Sequence, residues 1–124
     1  MVTAQPMAIG RITKNENDAL QAFVRLLLTE LGEQAQQIIL FGSKARGDSA
    51  PDSDIDVLIL ADEENRQVRK TISKISSQIG LDYNVCLGAL LIANRRWRQM
   101  SSERFSLCRN VERDGILLFK NSRQ

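Results

Sequence analysis

Leu40-Phe41-Gly42-Ser43-Lys44-Ala45-Arg46-Gly47-Asp48, followed after a short gap by Ser53-Asp54-Ile55-Asp56-Val57-Leu58-Ile59-Leu60, joins two apolar runs through a Gly-Ser turn and a polar loop. Apolar runs of this length, rich in Ile, Leu, Val and Phe and bounded by Gly, Ser and Pro, read as strands. Side chains alternate faces along a strand, so Asp54 and Asp56 share one face while Ile55 and Val57 take the other. Two adjacent carboxylates repel each other, and a fold accommodates them best with a cation between them. Hard oxygen donors favour Mg²⁺ or Mn²⁺, ions that in turn bring phosphate. An isolated Asp-x-Asp is as readily a pair of solvent-facing strand residues. The Gly-Ser turn eleven residues upstream, behind an apolar strand, favours the site.

Residues 1–16 show no periodicity, carry Pro6 and Gly10, and read as a loose N-terminal arm. Asn15 or Asn17 caps a helix whose apolar stripe is Ala19, Leu20, Phe23, Val24, Leu27, Leu28 and Leu31, stopped at Gly32. Residues 37–41 form the first strand and 55–60 the second. The two are antiparallel, because the connection is too short for a parallel crossover. Residues 63–78 read as a helix with Val68, Ile72, Ile75 and Ile79 inward, ended by Gly80. A third strand over 81–87, reached by that helical crossover, runs parallel to the second strand or to its neighbour. Residues 93–113 are helical, in two pieces broken near Ser101-Ser102, and 116–119 form a short closing strand. The expected fold class is α/β (α+β): a small mixed β-sheet with helices packed on one face, in a single domain over residues 17–120.

At 124 residues the chain has room for one core and not two, and 43% hydrophobic with 26% charged residues is an ordinary globular balance. The net charge of +2 is too small to argue for bulk nucleic-acid binding. It is unevenly spread, with eight basic residues against three acids from residue 90 onward. The absence of histidine excludes Ser-His-Asp and Cys-His catalysis and histidine metal sites. Cys86 and Cys108, in apolar and amphipathic surroundings, read as buried small hydrophobes. With no apolar run of membrane-spanning length and no signal-peptide pattern at the start, a cytoplasmic setting is expected.

Gly42-Ser-Lys-Ala-Arg-Gly47-Asp48-Ser49 nearly satisfies the phosphate-loop pattern G-x-x-x-x-G-K-[ST], but Asp48 stands where that loop needs its lysine. An acid there would repel a triphosphate, so a P-loop is rejected. Gly42-Ser43-x-Ala45-Arg46-Gly47, a short linker and Ser53-Asp54-x-Asp56 instead resemble the signature of the minimal nucleotidyltransferases, within the DNA polymerase β-like superfamily. The resemblance extends more loosely over residues 18–119, including the ending Asn110-Val111-Glu112-Arg113-Asp114-Gly115-Ile116.

That resemblance implies transfer of a nucleoside monophosphate, AMP above all, from an NTP such as ATP to an acceptor hydroxyl. It gives Asp54 and Asp56 the role of holding two Mg²⁺ (or Mn²⁺) ions and acting in catalysis. Gly42 lets the backbone approach the phosphates, Ser43 adds a hydroxyl, and Arg46 either reaches a phosphate or pairs with Asp48 or Asp52. The family's third carboxylate lies on the strand after the second helix. Here Asp82 is the acid available, while Asn84 sits two residues deeper on the same face. The resemblance also implies a small helical HEPN-type partner protein in a toxin–antitoxin pair. Two functions of different classes follow: an enzyme that adenylylates that partner, or an inactive binding module of the same shape that neutralises it.

Overall fold

The structure, a computed structural model, describes residues 2–4, 12–48 and 53–122. In chain order the elements are β1 (Val2–Ala4), α1 (Lys14–Leu31), a 3-10 turn (Gly32–Gln34), β2 (Ala35–Phe41), α2 (Ser43–Arg46), β3 (Ile55–Ala61), α3 (Arg66–Tyr83), β4 (Leu87–Ala93), α4 (Asn94–Ser102), α5 (Ser106–Asp114) and β5 (Ile116–Asn121). One five-stranded sheet runs in the order β1-β5-β2-β3-β4. The β2–β3 pair is antiparallel, as the short connection requires, and β3–β4 is parallel across the α3 crossover. β5 does not close an edge; it lies between β2 and β1, antiparallel to both. Of the stretch read as a loose arm, Val2–Ala4 pair with β5 and Lys14 opens α1, while residue 1 and residues 5–11 lie outside the described residues.

The two long helices share one face of the sheet. Leu20, Phe23 and Leu27 of α1 and Val68, Ile72, Ile75 and Ile79 of α3 close over Ile38, Leu40, Ile55, Val57 and Ile59. The expectation of helices on one face holds for this pair, and α4 and α5 add a smaller layer on the other. There Met100, Cys108 and Val111 pack on Ile39, Leu58, Leu60 and Ile92. This second layer covers the C-terminal half of β3 and leaves the N-terminal half, with Asp54 and Asp56, open. A break at residues 103–105, where Arg104 takes φ 60°, separates α4 from α5 close to the place expected.

Two helix ends differ from the sequence reading. Thr13, not Asn15 or Asn17, caps α1: its hydroxyl accepts from the Glu16 amide, and the Glu16 side chain accepts from the Thr13 amide. α3 runs through Gly80 and ends at Asn84, a residue type that tolerates the left-handed conformation it adopts (φ 52°, ψ 51°). A single glycine weakens a helix without ending it when the residues on both sides pack, and here Ile79 is buried. The third strand therefore begins six residues later than expected, at Leu87 instead of 81.

Candidate functional site

Asp54 precedes β3 and Asp56 is its second residue, so both project from the open face at the start of the strand. Asp54 is exposed and Asp56 half-buried. Burial first, and the Asp54 charge second, raise the Asp56 carboxyl above its ordinary pKa. Asp56 sits between two glycines. On the β2 side, a Cβ on Gly42 would stand 2.6 Å from Asp56 Oδ2, and Gly42 adopts φ 76°, ψ −158°, a region open essentially to glycine alone. On the β4 side, Gly88 is level with Asp56, and a Cβ there would lie 3.4 Å from Oδ1. The carboxylate thus occupies a slot that any larger neighbour would narrow.

The turn after Gly42 divides its side chains between two tasks. Lys44 is buried and forms a 2.7 Å ion pair with Glu16 at the start of α1, so it anchors the turn and faces away from the carboxylates. Burial alone would raise the Glu16 carboxyl, but the Lys44 ammonium and the hydrogen bonds from Thr13 outweigh it and hold that pKa below the usual value. Arg46 pairs with Asp48 at 3.2 Å on an exposed surface, the second of the two roles open to it in the sequence. Ser43, half-buried, is the first residue of α2, directly after Gly42.

Asp82 and Asn84 both qualified for a third position only on a strand over 81–87. The structure corrects that placement: Asp82 lies in the last turn of α3, and Asn84 is the cap that ends the helix. Level with Asp54 on β4's side is Cys86, whose carbonyl accepts from the Ile55 amide at 2.9 Å. The Cys86 thiol donates a hydrogen bond to Asp54, and that bond, with the charges of Asp54 and Asp56, raises the thiol's pKa. Cys86 is exposed, a correction to its reading as a buried hydrophobe, whereas Cys108 is buried as expected. Among the described residues no three His, Cys, Asp or Glu side chains stand as a group ready to hold a metal ion. The oxygen pair of Asp54 and Asp56 suits Mg²⁺ or Mn²⁺ in kind, as two unneutralised carboxylates on one face.

Sequence reasoning missed Cys86, Gly88 and the Lys44–Glu16 pair. The alternation of exposed and covered residues through 86, 88 and 90 carried the signal for the first two, once the strand is phased from Leu87. At the same end of the sheet, on the α1 side, a cleft of about 510 Å³ is lined by Thr13, Asn15, Glu16, Ser53, Asn84 and Cys86, among others.

Residues 24–117 match the family described as the nucleotidyltransferase domain. A curated relative, "Putative protein adenylyltransferase MJ0604" of Methanocaldococcus jannaschii, is 33% identical over 105 residues, covering 85% of this chain and 99% of the relative. A crystal structure described as a toxin–antitoxin with AMP-PNP superposes with a TM-score of 0.57 at 20% identity, covering 90% of this chain and 77% of that one. A structure of a tri-AMPylated Shewanella oneidensis HEPN toxin in complex with MNT antitoxin gives a TM-score of 0.51 at 22% identity, over 88% and 73%. These two structural likenesses speak to the fold.

Proposed function

The chain belongs to the nucleotidyltransferase domain family, and we propose that it transfers AMP from ATP to a hydroxyl of a small helical HEPN-type partner protein. The observation that carries this reading is the slot between Gly42 and Gly88, which holds Asp56 beside Asp54 on an open strand face. Support for adenylyl transfer to protein comes from the name of the 33% identical relative, and support for a HEPN-type partner from the AMPylated complex that shares the fold. ATP as donor accords with a cytoplasmic setting, and no helix among the described residues is long and apolar enough to cross a membrane.

In this reading Asp54 and Asp56 hold Mg²⁺ or Mn²⁺, which when bound neutralise charge at the triphosphate and at the attacking oxygen. The protein's own contribution is placement. Gly42 lets the main chain lie close to the phosphates, Ser43 offers its hydroxyl, and Arg46 exchanges Asp48 for phosphate oxygens, for which its planar fork is suited. Fixed hydrogen-bond donors and the Arg46 cation in a preset geometry lower the cost of crowding negative charge at the α-phosphorus. Calorimetry of ATP in the presence and absence of Mg²⁺ tests the binding step. Metal-dependent binding is expected in the wild type and lost in the Asp54→Asn/Asp56→Asn variant; equal affinity in both would overturn the assignment. Labelled ATP incubated with the chain and a HEPN-type partner is expected to label the partner.

Cys86, where a third carboxylate would complete the acids, supports a second reading. A thiol held protonated by Asp54 is a poor base, so the chain would act as a binding module that neutralises its partner without modifying it. Stable co-purification without label transfer selects this alternative.

A further inference from the structure

We propose that two copies of this chain pair antiparallel through the outer edges of their β4 strands into one continuous sheet, each bringing Arg95 and Arg98 to the carboxylate face of the other. The Ile55 amide donates to the Cys86 carbonyl, so the even-numbered residues of β4 direct their main-chain groups at β3 and the odd-numbered ones direct theirs outward. Ala93 obeys this rule: its amide donates outward to Glu64 Oε2 at 2.8 Å. Glu64 therefore closes the last outward amide and leaves those of Leu87, Ala89 and Leu91 facing an open edge. A groove of about 520 Å³, lined by Leu87, Ala89 and Leu91 of β4 and by Arg69, Ser73 and Ser77 of α3, runs along that edge and leaves it uncovered. The strand Leu87–Ala93 carries no charge and no proline, the features that ordinarily keep an edge from pairing.

The complement to this edge is the edge itself. With Ala93 occupied, pairing centres on Ala89 and sets Leu87 against Leu91 of the second copy. The intervening, non-hydrogen-bonded position then sets Leu90 against Gly88 of the second copy, where side chains approach most closely. Leu90 is 38% exposed, one of three exposed large hydrophobics among the described residues, and Gly88 is exposed on the same face. Each leucine thus covers the bare face of the other copy's glycine, twice over by symmetry.

Charge agrees with register. A two-fold axis normal to the sheet keeps the α4 face of both copies on one side, the side that bears Asp54 and Asp56. Antiparallel alignment lays the end of one β4, where α4 begins, beside the start of the other. Arg95 and Arg98 are exposed there and form no ion pair among the described residues. Opposite charges meet across the axis, and an arginine from the second copy supplies a cation for phosphate. This last step rests on the nucleotide reading of Asp54 and Asp56; the strand pairing does not.

Light scattering over a concentration series is expected to give twice the 14.0 kDa of one chain, falling to a single chain in Leu90→Lys, which circular dichroism should show to be folded. Hydrogen exchange of the wild type is expected to slow at Leu87, Ala89 and Leu91 as concentration rises. A monomer at every concentration, or a dimer in which those amides exchange fast, overturns the pairing, whatever helical partner binds there. Arg95→Gln/Arg98→Gln should remain dimeric and lose severalfold in ATP affinity; a dimer with unchanged affinity overturns the arginine contribution. A wild-type dimer with these amides protected that binds no ATP sinks the nucleotide reading and leaves the pairing intact.

Discussion

Lys44 and Glu16 meet at 2.7 Å, both almost wholly removed from water, and join the turn after Gly42 to the first turn of α1. Removing one member leaves the other charge buried and unpaired. Lys44→Ala is therefore expected to cost about 3 kcal/mol of folding stability, the low end for breaking a buried pair. Guanidinium unfolding of wild type and variant measures this directly.

The same pair sets an acid limit on the fold. Glu16 has a folded pKa below its unfolded value, so its contribution is present above the usual glutamate range and is lost as pH falls through the folded value. Stability of the wild type should decline on acidification below that range. Glu16→Gln should show a shallower decline, with less stability to lose. Melts at a series of acidic pH values compare the two slopes.

Gly42→Ala tests the slot. The substitution meets both a backbone conformation closed to alanine and Asp56 Oδ2 at 2.6 Å. A loss of about 1–3 kcal/mol in stability is expected from the conformation alone. Metal-dependent ATP binding should fall further than stability does, because Asp56 must move; unchanged affinity in a folded variant would refute the close approach.

Asp54→Asn/Asp56→Asn relieves two like charges, one of them half-buried with a raised pKa. Without metal the double variant should melt at a higher temperature than the wild type, and with Mg²⁺ and ATP the order should reverse. Differential scanning calorimetry in both conditions reads out the crossing.

Cys86→Asp places a third carboxylate level with Asp54. Mg²⁺ affinity is expected to rise and stability without metal to fall, since a third like charge joins the cluster. Asp82→Asn, at the end of α3, should leave Mg²⁺ affinity where it was. Equal effects of the two changes would contradict the placement of Cys86 beside the pair.

Much of this fold is legible from the chain because local chemistry and tertiary demand agree. Gly42-Ser43, the strands beside them and the stripe of α1 each follow from periodicity or turn chemistry. The carboxylate pair is legible for the same reason, since an i, i+2 spacing on a strand fixes a common face. The end of α3 is not, because Gly80 reads as a stop while Ile79 before it and Tyr83 after it both pack on the core. That six-residue slip moved β4 off Asp82 and hid Cys86 and Gly88. Lys44–Glu16 was invisible for another reason: nothing local distinguishes a lysine that turns inward toward a helix cap from one that turns toward phosphate.

Parallel pairing of β3 with β4 across α3 also decides how the Asp56 slot is assembled. One wall of the Asp56 slot comes from β2, reached through a short connection. The other comes from β4, which the chain reaches only across the 18 residues of α3. Contacts across such a separation require a larger loop to close before they are rewarded. A chain whose β4 is undocked therefore carries both acids without their cradle, and on the nucleotide reading ATP would recognise the finished fold alone. A ligand that binds only the native state stabilises it by mass action, so on that reading ATP would add to the stability that the core supplies.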